Sequence, residues 1–142
     1  PDEQMLSLNN FDKKVVGKGE ELPFNENSFD NVLCCFVWRN VADTEKALSE
    51  VYRILKPGGK FILLDMTRPE DNFYKLIHKI GTYILLHFVG LITLNLKEYR
   101  FLYKSLDLYP QPEVHLSKNN YTNLVIERVG LFDFVYLGIF TK

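Results

Sequence analysis

The chain has 142 residues, with Lys+Arg 17 against Asp+Glu 18 and a formal net charge of −1, so it carries no overall basic field of the kind that draws in nucleic acid. At 46% hydrophobic and 25% charged, its composition is that of one globular domain with a real core, and it excludes disorder, collagen and coiled coil. The two cysteines, Cys34 and Cys35, are neighbours inside an apolar run, where a mutual bridge would strain the backbone and no metal-ligand spacing exists. That usage fits a reducing, cytoplasmic setting and predicts no metal site.

The opening PDEQMLSLNN has no basic start, no apolar signal core and no small-residue cleavage site, so no export signal is read there. Segment 3–9 reads as the end of a helix with Met5, Leu6 and Leu8 apolar, and FDKKVVG at 11–17 as a short strand ending in Gly17. The continuously apolar VLCCFV at 32–37 suits a strand buried on both faces, as in a parallel sheet. Asp43 is placed to cap a helix over 44–56, with Ala47, Leu48, Val51 and Leu55 on one face and Pro57, Gly58 and Gly59 as its stop. FILLDM at 61–66 is a second apolar strand, so strand, helix and strand follow one another at the spacing of a crossover unit.

Beyond Pro69 the periodicity turns helical. Helices are predicted over 70–80, 82–94, 97–108 and 117–129, the last ended by Gly130, and a strand over 131–140 with Gly138 as a turn or bulge. The 17 residues 80–96 carry no formal charge, which is the lower limit of a membrane span. The first reading of this stretch is a helix pair buried against the protein. A docking surface for a lipid-like ligand or the bilayer face comes second, and a true span last.

In an open sheet, ligands bind beyond the carboxyl ends of parallel strands. Three such ends are predicted: Gly17, Lys18, Gly19 and Glu20; Trp38, Arg39 and Asn40; and Asp65, Met66, Thr67 and Arg68. The middle one places Arg39 and Asn40 where a buried strand opens into a loop, which makes it the candidate site.

These residues also carry a resemblance. The Arg-Ile-Leu-Lys-Pro-Gly-Gly run at 53–59, followed by Asp65, Met66 and Thr67, closely resembles the R-V-L-K-P-G-G and E-x-S signature of the quinone-biosynthesis C-methyltransferases, which act in making ubiquinone and menaquinone. Leu22, Pro23, Phe24, Ser28, Phe29 and Asp30 match an element shared across small-molecule methyltransferases, and Arg39, Asn40 and Val41 narrow the likeness to the quinone enzymes. The resemblance implies an α/β fold: a Rossmann-like, S-adenosylmethionine-dependent methyltransferase sheet lacking its N-terminal strands, in one partial domain over 1–142 with a helical insert or lid at about 70–110. It implies that Lys18, Gly19, Glu20 and Cys35 bind the cofactor and that Arg39 and Asn40 are catalytic. The family's glycine-rich first loop and the acidic residue ending its second strand have no counterpart here, although Met5 matches a methionine common just after that acidic residue. Hence the chain is expected to be the C-terminal part of a longer enzyme, preceded by roughly 80–100 residues on the usual size of such domains. Lys18 stands where the family has Asp or Asn, and the C-terminus is short of the family's longer hairpin.

A guanidinium stays protonated, so Arg39 is no general base; it can hold an ionised quinol hydroxyl, which pushes electrons toward the ring carbon that takes the methyl group. Trp38, Asp65, Tyr83, His87 and Tyr99 are the candidate substrate-binding residues. Each of these candidates has a plainer reading as well. Lys18, Gly19 and Glu20 can be a solvated turn, Cys35 a small core residue, Arg39 a surface ion pair, Asp65 a loop cap, and the aromatic residues core. His78 and His87 read first as satisfied core groups, and no role is assigned to His115. The expected acceptor is a lipid-like isoprenoid quinol, with a sterol or phospholipid as the alternative within enzymes. A silent interaction module and a nicotinamide-dependent enzyme remain the readings from other classes. No nucleic acid is expected as a partner; peripheral membrane contact and homo-oligomerisation are.

Overall fold

The computed structural model describes residues 7–8, 10–109, 111–116, 121–130 and 133–142. The helix end predicted at 3–9, with Met5, lies largely outside them, as does the His115 side chain. In chain order the elements are β1 (Phe29–Cys35), a single 3₁₀ turn (Trp38–Asn40), α1 (Thr44–Ile54), β2 (Leu55–Met66), α2 (Asn72–Ile92), α3 (Leu96–Leu108), α4 (Pro112–Leu116), β3 (Thr122–Val129) and β4 (Val135–Thr141). The four strands form one mixed sheet in the order β1-β2-β4-β3. β1 runs parallel to β2, with Val32 opposite Phe61 and Cys35 opposite Leu64, whereas β4 is antiparallel to both of its neighbours.

The crossover helix forms as its sequence dictates. The Asp43 carboxylate accepts from the Lys46 N–H at 3.0 Å, satisfying an orphan donor of the first turn. Ala47, Leu48, Val51 and Ile54 are buried together with Phe61, Leu63, Tyr136 and Phe140, so helix and sheet share one core. Within it Phe61 stacks on Phe140 with ring centroids 5.4 Å apart.

The helix ends at Ile54, earlier than predicted, and Pro57, Gly58 and Gly59 belong to the start of β2. Their role is close approach: a Cβ on Gly59 would stand 2.8 Å from the Lys56 carbonyl and 2.9 Å from that of Asp30 on β1, and Gly58 has φ +77. Arg53 in the same run donates to the Phe24 and Leu22 carbonyls at 2.8 and 3.0 Å and pairs with Glu50. The two signature elements of the sequence are therefore parts of one clamp.

Several other expectations are corrected. Segment 11–17 forms no strand; its apolar side chains are exposed, and an isolated bridge between Lys18 and Glu21 is the sheet-like contact there. β1 is not buried on both faces. It is a sheet edge, Leu33 is 66% exposed, and the strand stops at Cys35 because Phe36 turns to φ 57. The predicted helix over 117–129 is strand from Thr122 onward, because pairing with β4 overrides the helical spacing of its apolar residues. Gly81 does not divide two helices, since it lies in open space on the surface of a continuous α2, where a glycine costs only about 1 kcal/mol. α2 is not buried either: of its 21 residues, His78 and Gly90 are the buried ones. Gly138 is no bulge but a regular β4 position, where the space for a Cβ is taken by Phe140 at 3.3 Å and Leu116 at 3.7 Å.

Candidate active site

The parallel pair ends with Cys35 beside Leu64, and here the chain leaves β1 through Phe36 into the turn that carries Trp38, Arg39 and Asn40. Trp38 is buried against Phe61, ring centroids 5.5 Å apart, and so anchors the turn in the core. Arg39 follows directly, and Asp65, fully buried at the end of β2, fixes it twice. One carboxylate oxygen accepts from the Arg39 N–H at 3.0 Å; the other accepts from the Arg39 guanidinium and from the Met66 N–H, the latter at 2.7 Å. The Arg39 side chain is itself only 8% exposed, and its buried Nε–H has no hydrogen-bond partner. An unsatisfied donor on a buried cation is costly in a fold, and an anionic or carbonyl oxygen would relieve it.

Arg39 opens onto a cavity of about 380 Å³, a size suited to a small organic ligand. Asn40 and Val41 continue its wall on one side; Phe101, Ser105 and Leu108 of α3, with Tyr109 after it, close the other, and Lys104 contributes a second cation. Beneath it the Tyr109 hydroxyl interacts with Tyr136 and Trp38. Burial pushes the pKa of both phenols well above the ordinary tyrosine value, so both stay protonated and neither serves as a base. Burial, then the Asp65 charge, pushes the Cys34 thiol up to about 11 and makes it inert as a nucleophile.

The loop at 18–20 meets this site from the side. Gly19 lies against Val41 and Ala47, and the Glu20 carboxylate accepts from the Ala42 and Asp43 N–H groups at 3.0 and 3.3 Å. Backbone hydrogen bonds, first from its own N–H and then from Asp43, hold the Glu20 carboxyl below its usual range. Glu20 therefore secures the loop after Arg39. Lys18 is exposed, as is Cys35 at the end of β1, so Cys35 is not the core residue of the plainer reading.

Four of the candidate substrate-binding residues stand elsewhere. Trp38 is core. Tyr83 and His87 stack on each other, ring centroids 4.0 Å apart, with His87 Nδ1 2.8 Å from the Tyr83 carbonyl. Tyr99 packs near Gly90, where α3 meets α2. None of the four lines the cavity. Asp65 lies behind Arg39 and reaches the cavity through it. Sequence reasoning missed Phe101, Lys104, Ser105, Leu108 and Tyr109, whose helical spacing reads as an ordinary amphipathic helix.

A second buried arginine organises the insert. Arg68, 2% exposed, donates from Nε to Asp107 at 2.9 Å, from one terminal nitrogen to Thr82 at 2.7 Å and His78 Nδ1 at 3.0 Å, and from the other to the Tyr103 carbonyl at 3.4 Å. Arginine only donates, so His78 accepts through Nδ1 and carries its proton on Nε2. Burial first, then the Arg68 charge, lowers the His78 pKa against the opposing pull of Asp107. His78 is thus a satisfied interior group, as its plainer reading held.

A βαβ unit with its ligand groups at the parallel strand ends, continued by an antiparallel pair, defines the class: the fold is that of the Rossmann-like methyltransferases. A SAM-dependent methyltransferase of Thermotoga maritima superposes with a TM-score of 0.58 at 23% identity, over 89% of this chain and 62% of that one. The MccD protein gives 0.51 at 16% identity, over 89% and 66%. More specifically, the chain belongs to the ubiE/COQ5 methyltransferase family, whose model matches residues 8–127. It is 40% identical over 111 residues to the ubiquinone/menaquinone biosynthesis C-methyltransferase UbiE of Rickettsia felis, covering 76% of this chain and 45% of that protein. The Rickettsia bellii protein of the same name is 38% identical over 84% of this chain and 52% of its own length, and the demethylmenaquinone methyltransferase of Thermus thermophilus 41% identical over 65% and 42%. The chain spans about half the length of these relatives.

Proposed function

We propose that this chain forms the acceptor-side half of a cytoplasmic, S-adenosylmethionine-dependent enzyme that methylates a ring carbon of an isoprenoid quinol. The observation that carries the reading is Arg39, nine-tenths buried, pinned by Asp65 and lining the cavity of about 380 Å³, with an Nε–H that no group of the fold satisfies. A quinol hydroxyl is an acceptor of the right kind for that donor, and the apolar Phe101 and Leu108 suit the ring and the start of a tail. Family membership and the relatives' names support the same substrate class.

The residues present fit one flank of the cofactor. Gly19 has no heavy atom closer than 3.6 Å to where a Cβ would stand, which leaves its backbone approachable, and Cys35 is exposed at the carboxyl end of β1. These two would border the bound cofactor, with Lys18 outside them. S-adenosylmethionine, when bound, supplies an electrophilic methyl group.

What this chain adds is preorganisation. Arg39 is already cationic and already aimed by two interactions with Asp65, so it stabilises a developing phenolate without reorienting during the reaction. An ionised quinol oxygen held there, its proton given up to solvent on binding, would raise electron density at the ring carbon, the position to which the bound cofactor would supply its methyl group. The ring proton then leaves to solvent, since the raised Tyr109, Tyr136 and Cys34 cannot accept it. Phe101 and Leu108 offer apolar surface to the acceptor at the open side of the cavity.

The test is methyl transfer by the intact protein from labelled S-adenosylmethionine to a panel of reduced demethylmenaquinol, a demethylated ubiquinol precursor, a sterol and a phospholipid. Label on a quinol ring supports the proposal. Cofactor binding with no quinol methylated under reducing conditions, or label on the sterol or phospholipid alone, overturns it.

A further inference from the structure

The guanidinium of Arg39 is paired with Asp65, which is fully buried behind it, so the two together are formally neutral. A phenolate laid against this pair gains directed hydrogen bonds but no net counter-charge, and an anion drawn out of water without one is costly. Burial keeps Tyr109, Tyr136 and Cys34 in their neutral forms, so none of them alters this balance. A further cation is needed to offset an ionised acceptor.

Among the described residues the cavity wall holds no carboxylate and one cation besides Arg39, which is Lys104. Its position follows from helical spacing. Phe101, Lys104, Ser105 and Leu108 recur at intervals of three and four along α3, which puts them on one face, and that face is the wall. Lys104 is exposed, so it stands at the open side of the cavity, where an acceptor enters. The carboxylate nearest to it in its own helix, Asp107, is already engaged by Arg68 at 2.9 Å and by Lys79 at 3.1 Å. Lys104 itself makes no ion pair with any described residue. Arg100, one turn earlier on α3, and Lys97 lie outside the wall. The uncompensated positive charge of the cavity is therefore that of Lys104.

We propose that Lys104 is the counter-ion of the ionised acceptor: Arg39 orients the oxygen, and Lys104 supplies the net positive charge that favours its ionisation. The proposal rests on the quinol reading and narrows it to acceptors whose hydroxyl is acidic enough for one nearby cation to ionise, which an aromatic hydroxyl is and an aliphatic alcohol is not. On binding, the hydroxyl O–H bond breaks, its electron pair stays on oxygen and the proton passes to solvent at the open side.

The test uses 1-naphthol, a fused aromatic ring with one hydroxyl, whose ionised form absorbs at longer wavelength and is read directly on the intact protein without methyl transfer. The bound ring should ionise about tenfold more readily on the wild type than on Lys104→Gln, a shift of about one pH unit. Lys104→Arg keeps the charge and should restore most of that difference, whereas Lys97→Gln should leave it unchanged. Lys104 is exposed, so an unmoved thermal midpoint verifies the fold. In turnover of a quinol, the rising limb of kcat/KM should move to higher pH by about the same unit in Lys104→Gln, because a less acidic acceptor needs more alkaline solution to ionise. Equal ionisation on the wild type and on Lys104→Gln overturns the proposal. So does a shift of the same size from Lys97→Gln, which would make the effect one of overall charge, and so does failure of the wild type to bind the probe. The quinol reading fails separately, on the methylation panel: label on sterol or phospholipid alone removes that substrate whatever the naphthol titration shows.

Discussion

Two arginines are buried at the carboxyl ends of the strands, and they are used differently. Arg68, two residues beyond β2, has every nitrogen engaged: carboxylate, hydroxyl, imidazole and carbonyl acceptors surround it, and the Tyr103 ring lies 4.9 Å from its central carbon. Arg39, just beyond β1, lines the cavity, is pinned on one side by Asp65 and is left unsatisfied at Nε. A saturated buried guanidinium holds structure together. An unsaturated one, held rigid in a cavity wall, is poised for a ligand. The polar inventory of a buried cation thus separates architecture from chemistry where burial alone does not.

The largest effect should come from breaking the saturated side. Arg68→Ala leaves His78 without its donor and Asp107 with Lys79 alone inside the α2–α3 contact, and should cost about 3–5 kcal/mol in urea unfolding, the usual penalty for removing one member of a buried charged pair. A loss below 1 kcal/mol would mean that the insert is held by its apolar contacts instead. A smaller effect sharpens the same contrast. The folded His78 titrates below its unfolded value of about 6.5, so the folded state prefers the neutral ring. Stability from this group is therefore complete above pH 6.5 and declines as pH falls from there toward the lower folded value, with the unfolded chain binding the proton first. His78→Gln should flatten that part of the pH–stability curve, checked by denaturant midpoints across pH 5–8.

Why the sequence shows one arginine's setting and not the other's follows from where their partners lie. Arg39 stands next to an apolar strand and belongs to a short local motif, so its place at a strand end is readable from neighbours. The Asp43-capped helix and the two strands around it are readable for the same reason. Asp65 is 26 residues away, yet it too ends an apolar run, and the parallel pairing brings the two together. Arg68 also ends that run, but its partners His78, Thr82, Tyr103 and Asp107 come from two helices whose mutual packing no local pattern encodes. The cavity wall of Phe101, Leu108 and Tyr109 was hidden in the same way. Thr122–Val129 shows the converse error, since its apolar spacing fits a helix until β4 supplies hydrogen bonds along it. In each case a contact distant in sequence decides, and the local signal is either silent or outvoted.

The account turns on Arg39 being the arginine that works on substrate. The most direct measurement is Arg39→Lys in the intact protein, assayed for methyl transfer and for unfolding, beside Arg68→Lys. Lysine keeps the charge and the Asp65 pairing but cannot present a second, fixed donor toward the cavity. Arg39→Lys should lower kcat by about 100-fold or more, in line with loss of a preorganised oxyanion donor, while moving the denaturant midpoint little. Arg68→Lys should do the reverse. If Arg39→Lys turned over at the wild-type rate while Arg68→Lys lost activity without losing stability, the assignment of the two arginines would be wrong.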